Sequence, residues 1–165
     1  MIFIGIGANL PSVSHATIRD TCLAALATMP THGIIVGCVS PWYESAPVPT
    51  SAQPWYVNAV VEVTTKHSPA DALAALHTLE HEFGRVRAGR NAARTLDLDL
   101  LDYCGVVSEW DEIPILPHPR MIQRAFVLLP LRDLCPGWRD PRSKREIDEL
   151  IAALPFDQEI RPMGQ

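Results

Sequence analysis

The segment Leu96-Asp97-Leu98-Asp99-Leu100-Leu101 alternates apolar and acidic residues with a period of two. That period belongs to a β-strand, and it puts the leucines on one face and both carboxylates on the other. Residues i and i+2 on a strand lie ~6.5–7 Å apart. Leu96, Leu98 and Leu100 must then face a core, while Asp97 and Asp99 open onto something polar. The pattern therefore demands a sheet with at least one covered face, and predicts a strand over 95–101.

Just upstream stand Arg85, Arg87, Arg90 and Arg94, with no carboxylate from Phe83 to Leu96. The chain as a whole is acidic, at formal net charge -5. Uncompensated guanidiniums suit a polyanion such as a phosphate chain. Two carboxylates on one face suit Mg²⁺, which usually takes one or two carboxylates together with substrate phosphates. A DxD pair alone is more often a solvated strand face, but beside four arginines it points to a metal-nucleotide site. Pairing of Arg85 and Arg87 with Glu80 or Glu82 accounts for one or two of the arginines, not for all four.

Composition narrows the classes. A chain of 165 residues predicts one domain over 1–165. Its pI of about 5.6 argues against a general nucleic-acid surface. Many of the 15 prolines fall in Pro41–Pro54 and Pro114–Pro136, which predicts long stiffened loops. No apolar run approaches the ~20 residues of a membrane span. The start, Met1-Ile2-Phe3-Ile4-Gly5, reads as a strand and not as a signal peptide. Cys22, Cys38, Cys104 and Cys135 show no CxxC spacing, so reduced, mostly buried thiols in a cytoplasmic protein are expected.

Periodicity gives the remaining elements. Residues 2–7 read as a buried strand, and 13–29 as a helix with Ile18, Cys22, Leu26 and Met29 on one face. A β-rich stretch runs from Ile34 toward Tyr43, and another from Trp55 to Thr65. Ser68-Pro69-Ala70-Asp71 is a helix start, with Leu73, Leu76, Leu79 and Phe83 as its stripe and Gly84 as its stop. The last third reads as loops and short helices, with a helix-prone segment around 143–154. The order β-α-β-β-α-β plus a C-terminal extension predicts an α+β, ferredoxin-like core: an antiparallel sheet with helices on one face.

Other motifs carry less weight. Gly5-Ile6-Gly7-Ala8-Asn9-Leu10 mimics a dinucleotide fingerprint but has Leu10 at the third glycine, so a tight turn close to a ligand is the reading kept. The only lysines are Lys66 and Lys144, which excludes a P-loop. Pro117-His118-Pro119-Arg120 holds a histidine in a stiff loop, followed by Arg124 as an anion clamp and Phe126 as a stacking ring. Tyr56 and Asn58 alternate on a strand, offering a ring and an amide to a flat heteroaromatic edge.

These blocks together resemble the 6-hydroxymethyl-7,8-dihydropterin pyrophosphokinase family. The likeness runs through Gly5–Leu10, Trp42–Val48, Gln53–Ala59, Leu79–Arg87, Ala93–Leu101, Leu116–Met121 and Arg124–Val127. The Arg-Thr-Leu-Asp-Leu-Asp-Leu-Leu block at 94–101 is its most specific part. The resemblance implies transfer of pyrophosphate from ATP to the pterin hydroxymethyl group, with release of AMP, in folate synthesis. It implies two Mg²⁺ ions between Asp97, Asp99 and the phosphates. It places Glu80, Arg87, Arg94, His118 and Arg124 near the nucleotide. It places Gly7, Ser45, Ala46, Pro47, Val48, Tyr56, Asn58 and Phe126 around the pterin, and implies a monomer.

Two positions depart from the family pattern. Asn91 stands near where some members carry a tryptophan in the arginine loop. Ile113-Pro114-Ile115 stands where some carry a basic residue. The loops 45–53 and 85–94 are expected to close over ATP and exclude water. The competing readings are a binder that has lost turnover, a Mg²⁺-dependent nucleotide hydrolase, and a small RNA-binding module. The acidic pI and the lack of a paired aromatic motif weigh against the last.

Overall fold

The computed structural model describes residues 1–12, 14–49, 51–85 and 93–164. Strands β1 (Ile2–Ala8), β2 (Ile34–Val39), β3 (Tyr43–Ser45), β4 (Tyr56–Thr65), β5 (Asp97–Tyr103) and β6 (Ile160–Pro162) form one antiparallel sheet. Its order is β5-β1-β4-β3-β6, with β2 pairing the far half of β4. β2 and β3 are one broken strand. Val36 pairs with Val63, Tyr43 pairs with Asn58, and the register shifts between them. The Ser40-Pro41 step ends β2; there the Ser40 hydroxyl accepts from the Val60 N–H at 3.0 Å.

Helices α1 (Ile18–Thr28) and α2 (Pro69–Glu82) cover one face. They pack on Ile2, Ile4, Ile6, Val57, Ala59, Val61, Leu98 and Leu100. This is the α+β, ferredoxin-like core that the element order predicts. The C-terminal extension covers part of the other face with α3 (Ala125–Leu134) and α4 (Ile147–Ala152), over Phe3, Val60 and Leu101. A bulge at Phe3/Ile4 turns Asp102 onto that face, where it accepts from the Trp138 indole N–H at 2.8 Å.

Several boundaries differ from expectation. The first helix starts at Ile18, not 13, because Thr17 and Asp20 close a capping box there. The second helix starts where its capping residues predict: Ser68 accepts from the Asp71 N–H, Pro69 leads, and Gly84 at φ 76 ends it. Gly5 and Gly7 form no turn; both lie within β1. Helix α3 runs through a stretch expected to be loop; Pro130 sits inside it, among the apolar residues Val127, Leu128 and Leu131. The thiols are not mostly buried. Cys22 is, and burial pushes it up to about 12, but Cys38 on the edge strand β2 and Cys104 in the turn after β5 are exposed. Among the described residues, no helix is long and apolar enough to cross a membrane.

Candidate active site

The register of β1 against β5 builds the site floor. Gly7 lies opposite Asp97 and Gly5 opposite Asp99. Both glycines share the face of the two carboxylates, so no side chain stands between those carboxylates and the space above them. Next in the sheet, β4 contributes Tyr56 and Asn58, and β3 contributes Ser45. The buried Asn58 amide donates to the Ser45 hydroxyl at 2.9 Å. A Cβ at Gly7 would come within 2.8 Å of the Asn58 Oδ1, so only glycine lets that amide lie flat over β1.

Two cavities meet at these carboxylates, the larger reaching round the β5 edge of the sheet to α2. The smaller, of about 140 Å³, is lined by Gly7, Ser45, Ala46, Pro47, Val48, Tyr56, Asn58, Arg124 and Phe126. The larger, of about 840 Å³, is lined by Leu73, His77, Glu80, Arg85, Trp110, Ile113, Pro114, His118 and Arg120. Arg94, Asp97 and Asp99 line both. The two carboxylates therefore stand at the junction of a small, flat, partly apolar pocket and a long cleft carrying cations. All eight residues expected around the small ligand line the smaller cavity. Of the residues expected near the nucleotide, Glu80, Arg94 and His118 line the larger, whereas Arg124 lines the smaller, at the junction. Arg87 and Asn91 lie outside the described residues.

Of the four arginines, Arg87 and Arg90 lie outside the described residues; Arg85 and Arg94 are not uncompensated, contrary to the local sequence. Arg85 and Arg94 each put a guanidinium nitrogen on Asp97, the former at 2.8 Å from Oδ1. Arg85 also binds Glu80. Arg124 donates to the Asp99 Oδ2 at 3.1 Å and lies over the Phe126 ring, 5.3 Å from its centre. The aspartate partners come from β5, beyond the carboxylate-free window of 83–96. The junction is thus an alternating array of guanidinium and carboxylate groups. Asp97 and Asp99 keep 20% and 30% of their side-chain surface, so their oxygens stay open to the cavities.

Burial holds the His118 imidazole below its ordinary value, with Asp99 opposing and Arg124 adding to the shift. The ring is therefore neutral near pH 7. Its Nδ1 accepts from the Arg120 backbone N–H at 3.3 Å, which leaves the proton on Nε2. Nε2–H faces Asp99 at 3.8 Å and serves as a donor at the cleft mouth. Burial also raises the Tyr56 phenol, so it stays protonated.

Two anchors escape sequence reasoning. Asn9, fully buried, accepts from the Arg94 backbone N–H at 2.7 Å and donates to Gln53 Oε1 and Pro54 O. It fixes Arg94 relative to the loop over the smaller cavity; only its buried position reveals this. Trp110 lines the larger cleft with Arg142 stacked 4.3 Å from its ring centre. Arg142 in turn donates to Ser108 O and Leu116 O. A lone Trp in a polar loop gives no signal.

Glu80 ties α2 to β5. It is 2% exposed, and its Oε1 accepts the Leu98 N–H at 2.8 Å. Its Oε2 is buried and has no hydrogen-bond partner among the described residues. Glu80→Ala is expected to lower the unfolding free energy by about 3 kcal/mol, because Arg85 and the Leu98 N–H lose a buried partner. Urea denaturation measures this; a loss near zero would mean that Glu80 does not hold the two elements together.

The two carboxylates present hard oxygen donors on one face with open coordination toward both cavities. That donor set fits Mg²⁺, which takes few protein carboxylates and completes its shell from phosphates and water.

The sequence matches known proteins along most of its length. The profile described as 7,8-dihydro-6-hydroxymethylpterin-pyrophosphokinase matches residues 3–136. The chain is 38% identical to the 2-amino-4-hydroxy-6-hydroxymethyldihydropteridine pyrophosphokinase of Pseudomonas aeruginosa, over 94% of this chain and 93% of that one. It is 38% identical to the protein of the same name from Synechocystis, over 90% of this chain and 73% of that one. It is also 43% identical to the mitochondrial folate synthesis bifunctional protein of Arabidopsis thaliana, over 67% of this chain and 20% of that longer one. With every residue that lines the two cavities inside the matched region, this chain belongs to the 7,8-dihydro-6-hydroxymethylpterin-pyrophosphokinase family.

Proposed function

We propose that the chain transfers pyrophosphate from ATP to the hydroxymethyl oxygen of 6-hydroxymethyl-7,8-dihydropterin, with the pterin in the smaller cavity and the nucleotide in the larger. The observation that carries this is the sharing of Asp97, Asp99 and Arg94 by both cavities. A group transfer between two ligands needs such a junction. The pterin ring lies against Phe126, with Asn58 and the Ser45–Val48 loop reading its polar edge. The triphosphate runs past Arg94 and His118, and the buried Glu80 Oε2 accepts from a nucleotide hydroxyl or amino group.

The reaction is Mg²⁺-dependent, and Asp97 and Asp99 are the residues that would hold two ions. When bound, the metal neutralises phosphate charge. The protein's own part is positioning and charge placement. Arg94 leaves Asp97 for the β- and γ-phosphate oxygens, and Arg124 and the His118 Nε2–H add donors. The hydroxymethyl oxygen forms a bond to the β-phosphorus as the bond from that phosphorus to the α-bridging oxygen breaks. AMP leaves. With Arg94 turned away, Asp97 takes the hydroxyl proton. The family resemblance supports a chain that works as a monomer.

A product assay tests the proposal, with ATP, Mg²⁺ and the pterin omitted in turn. AMP and pterin diphosphate are expected only with all three present. ADP formed without pterin would instead show a hydrolase, and binding of both ligands without product would show a protein that has lost turnover.

Gly7→Ala probes the smaller cavity. The added Cβ pushes against Asn58 Oδ1 and separates the amide from Ser45. The KM for pterin is expected to rise ~10-fold, a loss of about 1.4 kcal/mol, with the KM for ATP changed less than ~2-fold. An unchanged pterin KM would remove Asn58 from the pterin seat.

A further inference from the structure

We propose that Gln158 and the strand that follows it form a clasp setting the distance between the two walls of the pterin pocket, so that a side chain touching no substrate controls pterin affinity. The inference rests on reading the smaller cavity as the pterin seat.

One wall is the start of α3, with Arg124 and Phe126. A helix N-terminus leaves backbone N–H groups without partners, which a capping side chain normally meets. Here Arg124 occupies the cap position but makes no capping hydrogen bond, because a guanidinium has no acceptor atom; it donates to Asp99 instead. Gln158 takes over from the C-terminal segment. Its Oε1 accepts from the Ala125 N–H at 2.9 Å, and its Nε2 donates to the Gln123 carbonyl at 2.9 Å. Both bonds bracket Arg124 and hold the turn that aims it and Phe126 into the cavity.

The other wall is β3 and the loop after it. The residue next to Gln158 holds that wall: the Glu159 carbonyl accepts from the Ala46 N–H at 2.9 Å. Ile160 then pairs with Ser45, and Arg161 with Glu44. Arg161 further bonds the Glu44 carboxylate at 2.9 Å and stacks 4.8 Å from the Trp55 ring centre. Consecutive residues thus grip opposite walls, and consecutive Cα atoms are only ~3.8 Å apart. The gap that admits the flat ring is fixed by one peptide unit. Gln158 itself does not line the cavity. It is a positioning residue, flanked by the exposed Asp157 and Glu159.

Steady-state kinetics of the intact chain test the clasp, with thermal melting alongside. Gln158→Ala is expected to raise the KM for pterin ~5- to 10-fold through loss of two hydrogen bonds, with kcat and the KM for ATP within ~2-fold. Gln158→Glu keeps the acceptor at the positive end of α3 and is expected to restore most of the pterin affinity. Phe126→Ala, measured in parallel, separates the two levels of the argument. If Phe126→Ala raises the pterin KM and Gln158→Ala does not, the clasp is wrong and the pterin seat stands. If neither variant moves it, the seat is wrong and the clasp falls with it. A rise in both KM values together with a large drop in Tm would make the segment a general stabiliser and overturn the clasp.

Discussion

Asp97→Ala and Asp99→Ala are each expected to lower kcat by on the order of 10³ or more while the fold survives. The reasoning starts from the sheet. Both residues sit on the face of β5 turned away from α1 and α2, opposite glycines of β1, so no β1 side chain packs against them. Their partners are guanidiniums and one imidazole at the mouth of two cavities. Removing one carboxylate therefore subtracts little from packing but leaves the junction net positive, without the oxygens that would hold a divalent ion. Circular dichroism and thermal melting would show the retained fold, and AMP release would show the lost turnover. Near-full activity of either variant would contradict the metal assignment.

Arg94→Ala is expected to cost ~10²-fold or more in kcat, with a smaller effect on the KM for pterin. Arg94 is the only cation among the described residues that lines both cavities besides standing on Asp97; Arg124 lines one and Arg85 the other. Its backbone is locked on both sides by Asn9, whose side chain accepts its N–H and whose own N–H donates to its carbonyl at 3.0 Å. With its backbone so anchored, Arg94 has only its side chain to move from Asp97 to the transferring phosphates. Arg94→Lys is expected to restore only part of the rate, because an ammonium lacks the planar fork. Full rescue by lysine would mean that charge alone matters. An unchanged kcat in Arg94→Ala would move the role to another arginine.

Local chemistry makes much of this fold and site legible in the sequence. The Leu-Asp alternation places both carboxylates on one face because strand periodicity is local. The Ser68-Pro69 start and Gly84 stop of α2 are legible because capping chemistry is local too. What stays hidden is non-local. The charge pattern around Arg85 and Arg94 does not reveal Asp97 as their partner, because the pairing is made by the fold. Gly5 and Gly7 read as a turn because glycines usually mark one. Their actual role, keeping a strand face bare, depends on the β5 register. Helix α3 is masked by Pro130, and the use of Gln158 has no sequence signature at all. The described site residues named from family resemblance line the two cavities because the blocks that carry them lie on β1, β3, β4 and β5, on α2, and in the segment that leads into α3.

The measurement that tests the central claim most directly is a crystal structure with the pterin, Mg²⁺ and a non-hydrolysable ATP analogue. The account predicts the pterin between Phe126 and Asn58, the nucleotide in the larger cleft, and the β-phosphorus above Asp97 and Asp99 within reach of the hydroxymethyl oxygen. A nucleotide in the smaller cavity, or phosphates bound away from both carboxylates, would contradict it.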